Sequence, residues 1–350
     1  MKKVLVTGTL GQDGANMCEF LLNNTDYKVF GMIRRAAIPN FENCKNFLNN
    51  DRFKLVYGDL TDEVSISNLV EEIKPDFFIN FAANSFVGCS WTMPLQVFDT
   101  NATGVLRCLE AIKNHNPKCK FYSAGSSEEF GNVDYSPQDI KHPLKPRSPY
   151  GASKCAARHI VKVYRESYDM FAVHGTLFNH EGTKRGEEFV TRKITKGVAK
   201  IKKQIIKNKH IDPIELGNIY SKRDWSDSED FVKGVWLMLN QEKPKDYLLA
   251  SGETHTIKEF VERAFLAAKI EGNWSEDLKD PLNTKFHRNS PKGEVLMKIN
   301  PEFYRPAEVE LLLGDPTDIK LELGWKPEVS FCNLVKKMVQ HDLHEEGLQV

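Results

Sequence analysis

The opening segment, Met1 to Leu22, leaves the chain little freedom. Lys3-Val4-Leu5-Val6-Thr7 is a short apolar run with β-branched residues, and Gly8-Thr9-Leu10-Gly11-Gln12-Asp13-Gly14 follows at once. Ala15 to Leu22 then repeats apolar residues at helical spacing. Strand, glycine turn and helix in that order begin a parallel α/β unit. In such a unit the glycines permit a tight turn, close backbone approach to a pyrophosphate and close packing of helix on strand, and the helix N-terminus attracts the phosphates. The spacing is Gly-x-x-Gly-x-x-Gly, and its context predicts a dinucleotide held by Gly8, Gly11, Gln12, Asp13 and Gly14.

The end of the second strand, Tyr27 to Ile33, carries the choice of dinucleotide. A carboxylate there would accept from a ribose 2′-hydroxyl, whereas Arg34 and Arg35 stand in its place. Two guanidiniums suit a 2′-phosphate, so NADP is the expected cofactor, with two solvated arginines as the competing reading. Further on, strand-like and helix-like runs alternate: Phe53 to Tyr57, a helix from about Glu63 to Ile73, Asp76 to Ala83, a long helix through Asn101 to Glu110, and Cys119 to Gly125. This alternation predicts a doubly wound parallel sheet, a Rossmann-like α/β fold. Ligands of such sheets lie beyond the strand C-terminal ends, where Gly58-Asp59-Leu60, Ala82-Ala83 and Ser126-Ser127 fall. A nucleotide domain over residues 1–178 is expected, followed by a smaller mixed α/β substrate domain over 179–340 that sends segments back to the first sheet. Lys202 to His210 and Asn273 to Lys292 are polar and read as exposed loops or hairpins.

Against that frame, Tyr150 and Lys154 stand one helical turn apart, so phenol and ammonium share a face. A nearby cation favours the phenolate, and such a pair can take a proton from a sugar hydroxyl. Alone, the same spacing also describes an ordinary surface helix. Ser126 and Glu128 end the fifth strand, where a hydroxyl can bond the same sugar oxygen and a carboxylate can serve a second proton transfer. Alternation along that strand end assigns the role to Glu128 rather than Glu129.

Composition excludes other classes. Lys plus Arg number 48 and Asp plus Glu 48, so no charge excess argues for nucleic acid. No apolar stretch approaches the ~20 residues that span a bilayer, and the seven cysteines are scattered without metal-clip spacing. A metal-free, cytoplasmic protein with reduced thiols is expected.

The residues together resemble an extended short-chain dehydrogenase/reductase, and within that group the GDP-mannose 4,6-dehydratases. The resemblance runs through Gly8 to Gly14, Arg34-Arg35, Asn84 to Gly88, Ser126 to Gly131, Arg147 to Tyr150, Leu177 to Glu181, Phe189 to Thr195, Lys222 to Trp225, Phe303 to Val309 and Leu323 to Pro327. It implies Ser126 in place of a threonine, Glu128 as acid/base carboxylate, Tyr150 as base and Lys154 as its supporting cation. It also implies a GDP-sugar held by Ser85, Asn179, Val190, Lys193, Arg223, Arg305 and Glu308, and a homodimer or homotetramer. Three departures stand out: Ala36 to Asn43 replaces a serine-rich loop, Ser226-Asp227 replaces Gly-His, and Asn84-Ser85-Phe86 replaces Gln-Ser-His beside the sugar. The first bears on whether a tetramer forms through that loop; the third, with Ser126 in place of threonine, leaves a GDP-manno-heptose, or a 4-dehydrogenase that stops at the ketone, as alternatives to GDP-mannose dehydration. An inert dinucleotide-sensing protein is the reading from a different class.

Overall fold

The computed structural model describes residues 1–277, 280–303 and 311–349. The elements that build the site are β1 (Lys3–Thr7), α1 (Gln12–Asn24), β2 (Lys28–Ile33), β3 (Phe53–Tyr57), α2 (Glu63–Ile73), β4 (Phe77–Asn80), α3 (Pro94–Phe98), α4 (Gly104–His115), β5 (Lys120–Ala124), α5 (Pro149–Tyr168), β6 (Ala172–Leu177) and α6 (Val190–Ile206). Strand Tyr247–Leu249 joins the first sheet, whose order is Tyr247–Leu249, β6, β5, β4, β1, β2, β3, with every pairing parallel. The order reverses between β1 and β4. Both faces of the sheet are covered, which is why its strands read as apolar runs rather than alternating ones.

Two cores flank the sheet. On one face Met17, Leu21, Phe231, Val235 and Trp325 pack with Val4 and Val6; on the other Leu5, Phe78, Phe121, Val105, Leu109 and Val161 pack together. Each fully buried Leu, Val or Phe contributes about 1.5–3 kcal/mol of transfer free energy. A third core, with Ile194, Val198, Phe260, Phe265, Met297 and Val339, lies under a smaller sheet ordered Gly272–Ser275, Lys285–Arg288, Val295–Ile299, Ile214–Leu216. The chain beyond residue 178 thus serves both units.

Two local expectations meet different outcomes. Asn273 to Lys292 contains an antiparallel hairpin, Gly272–Ser275 against Lys285–Arg288. Lys202 to Ile206 is instead the last turn of α6, because Ile201 is buried and Ile205 packs on the third core while the lysines lie at the surface side. The long helix before β5 is α3 and α4 joined by a π-helical turn over Asp99–Thr103.

Returning segments are pinned by Asp230, whose Oδ2 accepts from Glu328 N at 2.8 Å and Val329 N at 3.0 Å, while Trp325 Nε1 donates to Asp230 O at 2.8 Å. Asp230→Ala leaves two backbone donors without their acceptor, and denaturant titration is expected to show a loss of about 1–3 kcal/mol. An unchanged midpoint would contradict this clamp.

Candidate active site

One cavity of about 1540 Å³ runs along the C-terminal ends of the sheet strands and on beneath the second unit. At its nucleotide end, Gly8 has φ +69°, and a Cβ on Gly14 would stand 2.3 Å from Gly8 O, so the turn closes only with glycines there. Gly11, Gln12, Asp13, Arg34, Asp59, Leu60, Ala82 and Ala83 line the same space. Gln12 Oε1 is buried with no protein partner, which fits a ligand donor at this turn. Arg35, also expected here, is exposed and stands outside the residues that line the cavity.

Sequence reading missed the brace under this turn. His180 Nε2 lies 2.9 Å from Asp13 Oδ2 and Gln12 Nε2 donates to His180 O at 3.0 Å, while the imidazole stacks on Phe231. Burial disfavours a charged imidazole, yet Asp13 outweighs it and holds His180 above its ordinary pKa. Asp13 in turn is held below the usual carboxylate range by His180 and Arg185, despite burial. A separation of 167 residues left no local signal for this contact.

At the middle of the cavity Ser126, Glu128, Tyr150 and Lys154 converge. Ser148 caps α5, accepting from Gly151 N at 3.0 Å, and Pro149 occupies the first turn, so Tyr150 and Lys154 project from a well-defined helix start. Lys154 Nζ donates to Ala124 O at 2.7 Å, which anchors α5 to the end of β5. Desolvation lowers the Lys154 pKa to about 8, with Glu129 and Asp13 opposing. For Tyr150 burial dominates and raises the phenol pKa, while a hydrogen bond from Ser126 pulls the other way. Ser126 and, after it, Arg185 are the neighbours that favour the phenolate against the burial, while Lys154 Nζ stands 5.9 Å from the centre of the Tyr150 ring.

Glu128 lines the cavity and Glu129 is fully buried, but not through strand alternation. Ser127–Glu129 is a single 3-10 turn, in which Ser126 Oγ accepts from Glu128 N at 3.2 Å and Glu129 Oε1 accepts from Ser126 N at 2.8 Å. This reciprocal cap, rather than a strand's pleat, sends the two carboxylates apart. The π-helical turn adds a second fixture: Asn101 Oδ1 accepts from Asn84 N at 2.8 Å and its Nδ2 donates to Ser153 Oγ at 3.1 Å, holding the Asn84 to Phe86 segment against α5.

The far end is lined by Ser85, Asn179, Val190, Lys193 and Arg223, with Gly217, Asn218 and Phe303 added by the structure. Asn179 Oδ1 is buried without a protein partner. Asp224, fully buried, accepts from Ser251 N, Gly252 N and Gly314 N at 2.7, 3.0 and 3.2 Å and so fixes the strand that presents Arg223. Lys193 Nζ sits 3.8 Å over the Phe303 ring, and Phe86 meets Phe189 edge-on at 6.1 Å. Arg305 and Glu308 lie outside the described residues.

A dinucleotide turn, a parallel sheet and a Tyr-x-x-x-Lys helix on one cavity define an extended short-chain dehydrogenase/reductase. Solved structures agree on the fold: DesIV, a dTDP-glucose 4,6-dehydratase from Streptomyces venezuelae with NAD and TYD bound, superposes with TM-score 0.81 at 20% identity, covering 99% of this chain and 98% of that one. RMD from Pseudomonas aeruginosa complexed with NADPH gives TM-score 0.75 at 20% identity, over 99% and 100%. The sequence profile described as GDP-mannose 4,6 dehydratase matches residues 5–338. Proteins named GDP-mannose 4,6 dehydratase from Drosophila melanogaster and Homo sapiens are 41% and 40% identical, covering 98% and 97% of this chain and 86% and 91% of their own lengths. The chain belongs to the GDP-mannose 4,6-dehydratase family.

Because Lys154 is buried, its charge costs stability. Its folded pKa of about 8 lies below the ordinary 10.5, so the unfolded chain binds more protons between those values and stability rises with pH across that window. Lys154→Met leaves Ala124 O without its donor and is expected to remove turnover and to abolish the rise in unfolding free energy between pH 8 and 10.5. Thermal and denaturant unfolding across pH check this; a variant that keeps the wild-type rise with pH would contradict it.

Proposed function

We propose that the protein is a GDP-mannose 4,6-dehydratase that keeps NADP bound as its hydride carrier. The observation that carries the reading is the convergence of Ser126, Glu128, Tyr150 and Lys154 on one cavity that begins at the glycine turn and ends at Arg223. Arg34, at the end of β2 where no carboxylate stands, supports a 2′-phosphate on the cofactor; Arg35 adds a second positive charge beside it. Arg223, with Arg305, suits a diphosphate, Glu308 suits the guanine N–H groups, and Ser85, Asn179, Val190 and Lys193 the rest of the nucleotide sugar. Residues 1–178 hold the dinucleotide and 179–340 most of the sugar nucleotide. A cytoplasmic homodimer or homotetramer completes the proposal.

When bound, the dinucleotide accepts a hydride from the sugar C4 and returns it at C6. Every proton belongs to the chain. Tyr150, with Lys154 behind it and Ser126 favouring its phenolate, takes the C4 hydroxyl proton as C4 becomes a ketone. That ketone acidifies C5–H. Glu128 removes the C5 proton and passes it to the C6 hydroxyl, which leaves as water to give a 5,6-alkene; Tyr150 then returns its proton to C5 as C6 gains hydride. The net change is loss of one water, with the cofactor unchanged.

Incubation with GDP-mannose is expected to give a product lighter by one water, read by mass spectrometry; loss of two hydrogens alone, or no change, would overturn the reading. Denaturing the purified protein should release a dinucleotide with a 2′-phosphate, and recovery of NAD alone would remove the NADP assignment. Tyr150→Phe should lower turnover by ~10²- to 10⁴-fold with nucleotide-sugar binding retained.

A further inference from the structure

Behind the catalytic turn lies a buried charged cluster to which the mechanism above gives no task. Glu129 is fully buried, and its Oε1 accepts from Ser126 N at 2.8 Å and lies 3.0 Å from His174 Nε2. Its Oε2 stands 3.5 Å from Arg158 Nη1, whose other terminal nitrogen donates to Ile140 O at 2.7 Å. His174 is also fully buried, and its Nδ1 has no protein partner, so among the described residues the ring is oriented by Glu129 alone. A burial this complete of a carboxylate is costly unless pairing and hydrogen bonds offset it. The backbone is shaped to admit the pair: a Cβ on Gly125 would stand 2.2 Å from His174 Nε2 and 2.7 Å from Glu129 Oε1.

We infer that Glu129, held by His174 and Arg158, is a positioning residue that sets Ser126 and, through it, Tyr150 and Glu128. The chain of contacts is short. Glu129 fixes the Ser126 backbone, Ser126 Oγ caps Glu128 N at 3.2 Å, and the same hydroxyl bonds the Tyr150 phenol. Because α5 carries both Tyr150 and Arg158, the carboxylate ties the catalytic helix to the catalytic turn from behind while Lys154 ties it to β5. Glu129 also contributes charge. Together with Glu128 it disfavours the Tyr150 phenolate, against Ser126 and Arg185, so its position and its charge act on the same phenol in opposite senses.

The inference rests on the dehydratase reading, and the test separates the two. Glu129→Gln keeps an oxygen that can accept from Ser126 N but removes the charge that holds His174 and Arg158. In the enzyme with its bound dinucleotide, kcat for GDP-mannose is expected to fall by on the order of 100-fold through misplacement of the reacting groups, with KM near the wild-type value. The acid limb of its log kcat profile is expected at lower pH than in wild type, because an anion has left the surroundings of Tyr150. His174→Asn, which shortens the partner of Glu129, should show the same fall in kcat with KM unmoved, and it carries the test if Glu129→Gln does not fold. Unchanged kcat and pH profile in either folded variant, or a rise in KM with kcat intact, would overturn the positioning role. A wild-type enzyme inactive on GDP-mannose would overturn instead the reading beneath it.

Discussion

The meeting of the first turn of α5 with the end of β5 is the constraint on which the site depends. Lys154 reaches under the turn to Ala124 O, and Gly151 lies so close to Glu128 O that a Cβ there would stand 2.6 Å from it. Helix and turn cannot shift separately. The arrangement buries the Lys154 ammonium, the Tyr150 phenol and the Glu129 carboxylate on two adjoining segments, and each then loses water that would favour its charged form. Their charges answer to one another and to whatever enters the cavity. The proton on the Tyr150 phenol is therefore held in surroundings set by the protein rather than by bulk solvent.

The two ends of the cavity are joined by similarly dry polar contacts. Asp13 on the glycine turn and His180, just past β6, link the dinucleotide cradle to the strand that also bears Asn179. Strand Asn179–Glu181 in turn pairs in parallel with Trp225–Asp227, one residue after the Asp224 clamp and two after Arg223. The glycine turn, Asn179 and Arg223 thus follow one another along one hydrogen-bonded path. Asn179 and Arg223 are thereby carried on paired strands rather than on loops.

Much of this was legible in the sequence because it is local. The glycine turn, the helix at Glu63–Ile73 and the Tyr-x-x-x-Lys face are set by spacing within one or two turns, and the structure brings Ser126, Glu128, Tyr150 and Lys154 to one cavity. What the sequence hid is non-local or depends on backbone form. Glu128 faces the cavity because a 3-10 turn and a reciprocal cap follow β5, which strand alternation does not describe. The His180–Asp13 and His174–Glu129 contacts span 167 and 45 residues, and no periodicity announces them. Lysines on the outer face of α6 looked like a loop because polarity was read without Ile201 and Ile205 beside it.

The central claim is that one carboxylate, Glu128, separates oxidation from elimination at a single site. The most direct measurement is a single turnover of Glu128→Gln with GDP-mannose, followed by cofactor absorbance and by deuterium uptake at C5 from heavy water. The account predicts that hydride leaves C4 and reduced dinucleotide accumulates, while no deuterium enters C5 and no water is lost. Normal dehydration with C5 exchange in that variant would contradict it.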